Sequence, residues 1–321
     1  MSSSAEPAPV LIAALSGRAL AAAAARAGER VIVFDLFADC DTARYAEACS
    51  RLPRGPVGFE RRAFLAAVER VAGAVRGFVY GAGFEHDPDL LGEIARRVPL
   101  IGNLPGAVAA VKDPSGFAAL LARLSLPHPA TSRKAPSGGG WLRKMIGGSG
   151  GSHIASAVSA AATPETYFQR RVPGCAISAS FLADGTAARV LGFTEQWTSG
   201  DAAAPFRYGG CAGPVPLSPR LAEAIETACD AVAAGTGLVG LNSLDLLVEQ
   251  DRFHVLEVNP RPGATLDIFD GLGALSLWRL HVDAVAGRLP PAPRAEPAMA
   301  RAAAIVYAPR AVVIPGAMAW P

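Results

Sequence analysis

Two acidic residues and one asparagine lie close together in an apolar part of the chain. Asp245 is followed by Glu257 and then by Asn259. Side chains alternate between the two faces of a strand, so Glu257 and Asn259 share one face of a strand at 255–259. Two carboxylates directly opposite each other on paired strands repel, and a cation between them removes the repulsion. Oxygen ligands without His or Cys are typical of Mg²⁺ sites, so these three residues are predicted to bind Mg²⁺.

Segment 241–259 is predicted to be a β-hairpin that brings the two acids together. Asp245 faces Glu257 if the turn around 249–252 is an odd-numbered loop, most simply a loop of about three residues. The alternative is a surface hairpin whose acids face water. The apolar content of both strands argues against that alternative. The residues responsible are Leu244, Leu246, Leu247, Val255, Leu256 and Val258.

A lysine followed by the most glycine-dense run of the chain forms a second group of candidates. Lys144 precedes the run Gly-Gly-Ser-Gly-Gly-Ser-His at 147–153. Glycine lets backbone N–H groups approach phosphate oxygens closely. The run therefore favours a phosphate-binding loop over its alternative, a surface loop without function. His153 is expected either to contact the phosphates or to cap a helix that follows it.

Elements that would position these residues follow from the apolar pattern. The first hundred residues alternate between short apolar runs and helical segments, which is typical of an open parallel α/β sheet. The predicted strands are 9–15, 31–34, 77–80 and 99–101. Three helices are predicted: one that ends at residue 27, one at 59–75 and one at 89–97.

Beyond residue 105 the pattern favours a mixed architecture with longer strands. Predicted helices are 112–124, 219–235 and 275–287, and predicted strands besides the hairpin are 141–146, 167–172, 177–182 and 188–194. A proline-rich stretch at 289–297 is predicted to be a linker that precedes a last strand at 302–307.

Composition excludes several classes of protein. The chain has 321 residues, of which 51% are hydrophobic, and a net charge of +2, so two or three compact units without a nucleic-acid partner are expected. No apolar stretch near the start is long enough for a membrane span or a secretion signal, so a cytoplasmic protein without a membrane partner is expected. The cysteines lack metal-ligand spacing and are expected to be reduced thiols. They are Cys40, Cys49, Cys175, Cys211 and Cys229.

Asp245 together with the run Glu257-Val258-Asn259-Pro260-Arg261 resembles the metal-binding end of the ATP-grasp superfamily, and the resemblance covers most of 106–273. It implies an α/β and α+β fold in which a Rossmann-like N-terminal (pre-ATP-grasp) domain at 1–105 precedes a two-lobed ATP-grasp domain at 106–288. The small lobe is expected at about 130–172. Residues 289–321 are expected to form a C-terminal linker and a last strand.

The resemblance also implies roles for individual residues. Asp245, Glu257 and Asn259 would hold two Mg²⁺ ions, with Mn²⁺ as an alternative ion, and Arg261 would contact the transferred phosphate. Lys112 and Lys144 would contact the phosphates of ATP. The loop residues implied in the same role are Gly148, Ser149, Gly150, Gly151 and His153.

Adenine is expected at a hinge between the lobes. The hinge residues implied by the resemblance are Gln169, Arg170, Arg171 and Val172. Gln169 stands where the family usually has glutamate, and Ala176 stands where an acidic residue is common, which puts the ribose contact in doubt.

The implied activity is that of an ATP-dependent carboxylate-amine ligase. A substrate carboxylate attacks ATP to form an acyl phosphate, and an amine then displaces the phosphate. Within the superfamily the chain is most similar to a group that includes the tyramine-glutamate ligase and the pyrrolysine-pathway ligase. Ligation of glutamate to tyrosine or tyramine, in methanofuran or methylofuran biosynthesis, is therefore expected by analogy. Glu195, Arg207 and Tyr208 lie where the family builds its acceptor pocket, although a structural role is equally compatible with each.

Two other functions stay open at this point. A nucleotide-dependent oxidoreductase is suggested by the first two strands and by 81–83, but Ser16-Gly17 and Asp35 lack a full GxGxxG motif. A binding protein that kept the fold without catalysis is suggested by Gln169 and Ala176. The small-molecule partners would be a carboxylate and an amine, and a homodimer is compatible with the sequence.

Overall fold

The computed structural model of the chain describes residues 6–157, 161–272, 276–291, 299–310 and 312–313. The predicted linker at 289–297 lies outside these ranges from residue 292 onward. The first residue of the helix predicted at 275–287 also lies outside them. Within the described ranges, none of the helices combines the length and apolar character needed to span a bilayer.

The front sheet is a parallel sheet built from the first part of the chain. Its elements are β1 (Val10–Ala13), α1 (Arg18–Arg26), β2 (Val31–Asp35), α2 (Cys40–Tyr45), β3 (Ala48–Arg51), α3 (Arg61–Val71), β4 (Gly77–Tyr80) and α4 (Pro88–Ala95). The strand order is β3-β2-β1-β4, and every neighbouring pair is parallel. The predicted open parallel α/β sheet is therefore confirmed.

One predicted strand of the front sheet is wrong. Segment 99–101 makes a single bridge, between Leu100 and Phe78, rather than a strand. Pro99 has no N–H to donate, so pairing does not extend.

The strand order of the front sheet reverses beside β1. β2 lies on one side of β1 and β4 on the other, so the loops that leave β1 and β4 diverge at their carboxyl ends. Crevices at such a reversal are the usual ligand sites of open α/β sheets. In this chain those loops are 14–17 and 81–87.

Two helices replace the single helix predicted at 112–124. They are α5 (Pro105–Lys112) and α6 (Pro114–Arg123). The chain breaks between them because Pro114 lacks the N–H that a continuous helix needs. The Asp113 carboxylate accepts a hydrogen bond from the Gly116 N–H at 2.8 Å and caps α6. This break leaves Lys112 at the carboxyl end of α5.

A small antiparallel sheet follows the helices. Its strands are β5 (Thr131–Ser132), β6 (Trp141–Met145), β7 (Ala155–Ser156) and β8 (Thr166–Arg170), and their spatial order is β5-β8-β6-β7. The glycine-rich run lies between β6 and β7, so it is the connection between two neighbouring strands of this sheet.

The large sheet holds most of the remaining chain. Its strands are β9 (Cys175–Asp184), β10 (Ala188–Thr198), β11 (Tyr208–Gly213), β12 (Val239–Glu249), β13 (Arg252–Asn259) and β14 (Arg301–Ala304). The helices in this part of the chain are α7 (Pro219–Thr236), α8 (Leu266–Phe269) and α9 (Leu277–Val285). The strand order is β13-β12-β9-β10-β11-β14, and the pairing is antiparallel.

The two faces of the large sheet differ in polarity. Ala179 and Phe181 point from β9 into an apolar core shared with Ile225 of α7 and Leu120 of α6. Because side chains alternate, Ser178 points to the opposite face. That polar face is where the predicted metal ligands lie.

His281 of α9 fastens the large sheet to the front part of the chain. Its Nδ1 accepts a hydrogen bond from the Leu241 N–H at 2.9 Å, and its Nε2 lies 2.9 Å from the Ile101 carbonyl oxygen. The ring is therefore the neutral tautomer with its proton on Nε2, which donates to Ile101. Burial lowers the pKa of His281 to about 4, although the Ile101 carbonyl opposes the shift.

This geometry predicts acid sensitivity. His281 has a lower pKa in the folded protein than its ordinary value of 6.5. The unfolded chain therefore binds its proton first, and stability is lost as pH falls from about 6.5 to about 4. The expected loss is up to roughly 3 kcal/mol, because one pKa unit corresponds to about 1.4 kcal/mol. Urea unfolding across this pH range measures it. In His281→Gln this part of the pH dependence should be absent, and an unchanged slope would contradict the assignment.

Candidate active site

The hairpin of β12 and β13 places Asp245 directly opposite Glu257. This register is the predicted one, but the predicted loop is wrong. Glu249 pairs with Arg252, so the turn is the two-residue loop 250–251 and is even-numbered.

A β-bulge, rather than the loop, sets the register that places Asp245 opposite Glu257. The pairing shifts between Asp245 and Leu246, and Leu256 on the other strand has no partner of its own. The extra residue, Leu256, shifts the alternation of side chains along β13 by one position. Val255 and Val258, which are three residues apart, therefore both point into the core. The bulge therefore turns Glu257 toward the polar face.

Asp245 is stabilised by two neutral donors. The Ser178 hydroxyl donates to its Oδ1 at 2.7 Å, and the Asn259 amide nitrogen donates to its Oδ2 at 2.9 Å. Burial and the charge of Glu257 nevertheless raise the pKa of Asp245 above its ordinary value. The nearby Lys112 charge and the two donors act in the opposite direction but do not cancel these two effects.

Glu257 has positive neighbours instead. The Lys112 ammonium donates to Glu257 Oε2 at 3.2 Å; the Lys112 side chain is buried and that of Glu257 is half-buried. Burial acts to raise the pKa of Glu257, but Lys112, Lys144 and His153 outweigh it and hold that pKa below the ordinary value. Lys144 is buried on β6, and burial together with the charge of Lys112 lowers its pKa. Two lysines and two acids are thus concentrated in one site.

The donor set suits Mg²⁺. Asp245 and Glu257 offer carboxylate oxygens on one face, and Asn259 adds an amide that now compensates Asp245 by donating to it. In the described part of the chain, no group of three or more His, Cys, Asp or Glu side chains could hold a metal ion by itself. Two carboxylates are enough for Mg²⁺, which keeps water and phosphate oxygens in its remaining positions.

Arg261 is held by an acid that the sequence analysis missed. Glu85 Oε1 accepts from Arg261 Nε at 2.7 Å, and Glu85 Oε2 accepts from the N–H groups of Gly83 and Phe84 at 2.7 and 3.0 Å. Burial acts against the charge of Glu85, but Arg261 lowers the pKa of Glu85 to about 2. This buried pair fixes the guanidinium at the end of β13.

The signal for Glu85 was present in the sequence. It lies in the loop that leaves β4, at the carboxyl end of the front sheet, where ligand-binding residues concentrate. Asn103 was missed as well. Its side chain donates to Asn242 Oδ1 at 2.7 Å and to the Pro260 carbonyl at 2.9 Å, and accepts from the Val239 N–H at 2.7 Å. It therefore anchors the chain next to Arg261.

The glycine-rich loop is clamped on both sides. Gly147 has φ +66°, and a Cβ there would lie 2.4 Å from His86 Cα in the front part of the chain. Gly151 has φ +72°, and a Cβ there would lie 2.0 Å from the Phe206 carbonyl oxygen. Only glycine allows both close approaches. The loop is thus held between the segment at His86, which follows β4, and the segment at Phe206, which precedes β11.

The other residues predicted in the glycine-rich loop also contact their neighbours. The Gly150 carbonyl accepts from the Tyr208 N–H at 2.9 Å, and the His153 ring packs against Gly148. His153 Nδ1 accepts from the Met145 N–H at 3.3 Å. The idea that His153 caps a following helix is wrong, because β7 follows it. Ser149 is half-buried in the same turn.

A narrow cleft lies beside the lysines, between the small sheet and α5 and α6. Its free volume is about 30 Å³. Most of its lining side chains are apolar, and Lys112 and Glu257 also line it. Gln169 lies in the cleft, and its amide nitrogen is 3.3 Å from the Leu256 carbonyl that the bulge leaves free. The apolar walls include Val111, Phe117, Leu121, Met145, Tyr167 and Val255.

The arginines predicted at the hinge are not brought into this site. The Arg170 guanidinium lies 5.8 Å from the centre of the Trp141 ring and donates to the Gly139 carbonyl at 2.8 Å. The Arg171 side chain is exposed, and Val172 is half-buried beyond the end of β8. Of the four hinge residues, Gln169 is therefore the one that the structure brings to the cleft.

The three residues predicted near an acceptor pocket separate. Glu195 is exposed on β10. Arg207 Nε donates to the Ser199 carbonyl at 2.9 Å, and its guanidinium lies 3.9 Å from the centre of the Tyr307 ring. Tyr208 alone lines a large cavity between the front sheet and the large sheet.

Asp35 does not offer its carboxylate to a nucleotide. It accepts hydrogen bonds from the N–H groups of Gly17, Phe37 and Ala38 at 3.0, 2.9 and 2.6 Å. A dinucleotide-binding acid must instead bond a ribose hydroxyl. This geometry argues against the oxidoreductase alternative.

Comparison with known families gives a match to the central part of the chain. Residues 115–265 match the family described as ATP-grasp domain. A curated relative is the carbamoyl phosphate synthase large chain of Methanoculleus marisnigri, which is 26% identical over 220 residues. That match covers 59% of this chain, and the chain spans only 20% of the relative.

Solved structures show the same fold. The biotin carboxylase–ATP complex of Campylobacter jejuni matches with a TM-score of 0.66 and 16% identity, over 88% of this chain and 72% of that one. N5-carboxyaminoimidazole ribonucleotide synthetase of Thermus thermophilus matches with a TM-score of 0.68 and 18% identity, over 91% of this chain and 82% of that one. The L-amino acid ligase of Bacillus licheniformis matches with a TM-score of 0.65 and 16% identity, over 87% of this chain and 74% of that one. The predicted fold class is confirmed.

The Glu85–Arg261 pair predicts a large loss of stability on neutralising one partner. Glu85→Gln leaves the buried Arg261 charge uncompensated, so the free energy of unfolding should fall by roughly 3–5 kcal/mol. Urea unfolding measures it. The matched control is Glu47→Gln, which removes an acid paired with Arg30 at the surface and should change stability little. Equal effects of the two substitutions would contradict the role of the buried pair.

Proposed function

We propose that this chain, which carries an ATP-grasp domain over residues 115–265, is an ATP-dependent ligase that joins a carboxylate to an amine. The observation that carries the proposal is the facing pair of Asp245 and Glu257, with Lys112 and Lys144 beside it. Such a cluster is suited to the charge of a transferred phosphoryl group, whose transfer depends mainly on positioning and electrostatics.

Each part of the site has a role in this proposal. Asp245, Glu257 and Asn259 hold Mg²⁺, with two ions expected. Lys112 and Lys144 contact the phosphates, and the loop 147–153 covers them. ATP and Mg²⁺, when bound, supply the phosphoryl group and the charge that balances it. The adenine binds at the hinge beside Gln169, where the cleft of about 30 Å³ has to widen to admit a purine base.

Arg261 acts on the transferred phosphate and the acyl phosphate. Its guanidinium can pair with two phosphate oxygens at once. Glu85 and Asn103 hold it in place through their contacts with Arg261 and Pro260. The closed glycine-rich loop keeps water from the acyl phosphate until the amine attacks. ADP and phosphate are released with the new amide.

For the substrates we propose glutamate as one partner and tyrosine or tyramine as the other, in the biosynthesis of a methanofuran-type or methylofuran-type coenzyme. The support is the likeness of the chain's motifs to that group of ligases. The structural similarity to an L-amino acid ligase supports amino-acid-like substrates more generally. The three units at 1–105, 106–288 and 289–321 keep their proposed roles as substrate domain, catalytic domain and C-terminal segment.

The experiment that tests this proposal measures ADP release from ATP and Mg²⁺ with pairs of acids and amines, beginning with glutamate and tyramine. Glu257→Gln and Asp245→Asn should each lower the rate by at least about a hundredfold, because each removes a charge that the phosphoryl transfer needs. The control is Glu249→Gln, at the exposed turn of the same hairpin, which should keep the wild-type rate.

Two outcomes would contradict the proposal. Wild-type turnover in Glu257→Gln and Asp245→Asn would exclude these residues from catalysis. Binding of ATP and Mg²⁺ without ADP release from any pair would instead favour a binding protein without catalysis.

A further inference from the structure

A cavity of about 760 Å³ lies between the front sheet and the large sheet, outside the cluster of acids and lysines. It opens at the carboxyl ends of β1 and β4, where Ala14 and Gly81 line it, so it occupies the reversal point of the front sheet. Volumes of 300–1,000 Å³ are typical of sites for small organic molecules. The cavity is therefore large enough for a substrate with a sizeable side chain.

The cavity adjoins the candidate active site. Pro262 and Gly263, which follow Arg261 directly, form part of its wall. Tyr208 also lines it, and the Tyr208 N–H donates to Gly150 of the glycine-rich loop. A molecule in the cavity thus has one end beside the residues proposed to handle the phosphate.

Small apolar residues make up most of the wall. They come from α1, from the loop before α8, from α8 itself and from β14, and representative members are Ala19, Leu20, Ala264, Leu266 and Ala303. An apolar group that enters is removed from water, which stabilises binding by roughly 25 cal/mol per Å² of apolar surface. Alanines leave the space that larger side chains would fill. The wall therefore favours a bulky apolar group.

The charges of the wall cancel. Among the described residues that line the cavity, Arg18 and Asp267 are charged, and they form an ion pair with 2.6 Å between Nη2 and Oδ2. Arg301 lies nearby on β14, but its guanidinium donates to the Asp270 and Gly271 carbonyls at 2.7 and 3.4 Å. A phosphorylated substrate needs cations that are not already paired. This wall disfavours such a substrate.

The outer wall is a built part of the fold. β14 pairs with β11, with Ala303 opposite Cys211. Beyond β14, the Tyr307 hydroxyl donates to the Tyr208 carbonyl at 2.9 Å, and Arg207 stacks on the Tyr307 ring. These contacts hold the C-terminal strand over the cavity.

We infer that this cavity binds the side chain of one ligase substrate and that this side chain is a bulky, uncharged apolar group, aromatic or branched aliphatic. The inference rests on the proposed function, since it assigns the cavity to a substrate of that reaction. It adds the chemical class that the site selects. The reacting carboxylate or amine lies toward Arg261, and the apolar group lies between α1 and β14.

Binding experiments without turnover test the inference. The probes are three pairs that differ in one apolar group: glycine and phenylalanine, ethylamine and 2-phenylethylamine, acetate and phenylacetate. Calorimetric titration in the presence of Mg²⁺ and ADP measures each dissociation constant. In at least one pair, the phenyl compound should bind at least about tenfold more tightly, because burying an aromatic group contributes that much or more.

Two alanines of α1 provide matched variants. Ala19 lines the cavity, whereas Ala25 is half-buried on the same helix away from it. Ala19→Leu fills part of the space and should weaken binding of the preferred phenyl compound by about tenfold or more, with Ala303→Leu as a second filling variant. Ala25→Leu should bind like the wild type.

The inference is overturned if no pair shows a preference for the phenyl compound, or if the preference persists unchanged in both filling variants. These outcomes are distinct from failure of the ligase proposal, which is decided by ADP release. A protein that releases ADP but prefers the smaller probes keeps its proposed function and loses this assignment.

Discussion

Asp245 and Glu257 face each other across two neighbouring strands in a half-buried site, and the arrangement of the surrounding residues follows from the cost of placing two acids there. Two carboxylates on directly opposite positions of paired strands repel, and burial removes part of their hydration. Ser178 and Asn259 donate to one acid, and Lys112 donates to the other. Burial and the charge of Glu257 raise the pKa of Asp245, and Ser178, Lys112 and Asn259 offset them only in part. Facing acids of this kind are typical of functional sites, where function and stability conflict.

The front sheet completes this site rather than lying apart from it. Glu85 comes from the loop behind β4 and holds Arg261 at the end of β13, while Asn103 holds the Pro260 carbonyl beside it. Gly147 lies against the backbone of His86, so the glycine-rich loop also rests on the front sheet. The same interface encloses the large cavity on its other side. The parts proposed for catalysis and for substrate binding therefore share one junction between the two sheets, and changes in how the sheets meet should affect both.

Local pattern was enough to predict the parallel front sheet and the hairpin, because alternation and apolar runs act over a few residues. It was not enough for features set by backbone geometry. The register of Asp245 and Glu257 comes from a bulge at Leu256, and a bulge leaves no composition signal that separates it from a longer loop. Glu85 and Asn103 act through partners far away in sequence, at Arg261 and Pro260. Conversely, Arg170 belonged to a familiar motif, but its side chain stacks on Trp141 outside the site.

Thermal unfolding of Asp245→Asn measures whether the two facing acids repel each other and whether a bound cation relieves that repulsion. Without ligands this variant should be at least as stable as the wild type, because the substitution removes the repulsion. With Mg²⁺ and a non-hydrolysable ATP analogue, the wild type should gain several degrees in unfolding temperature and the variant should gain little, since ligand binding stabilises only a state that can bind. A variant that is less stable than the wild type without ligands and gains as much from them would show that the two acids neither repel each other nor bind the cation together.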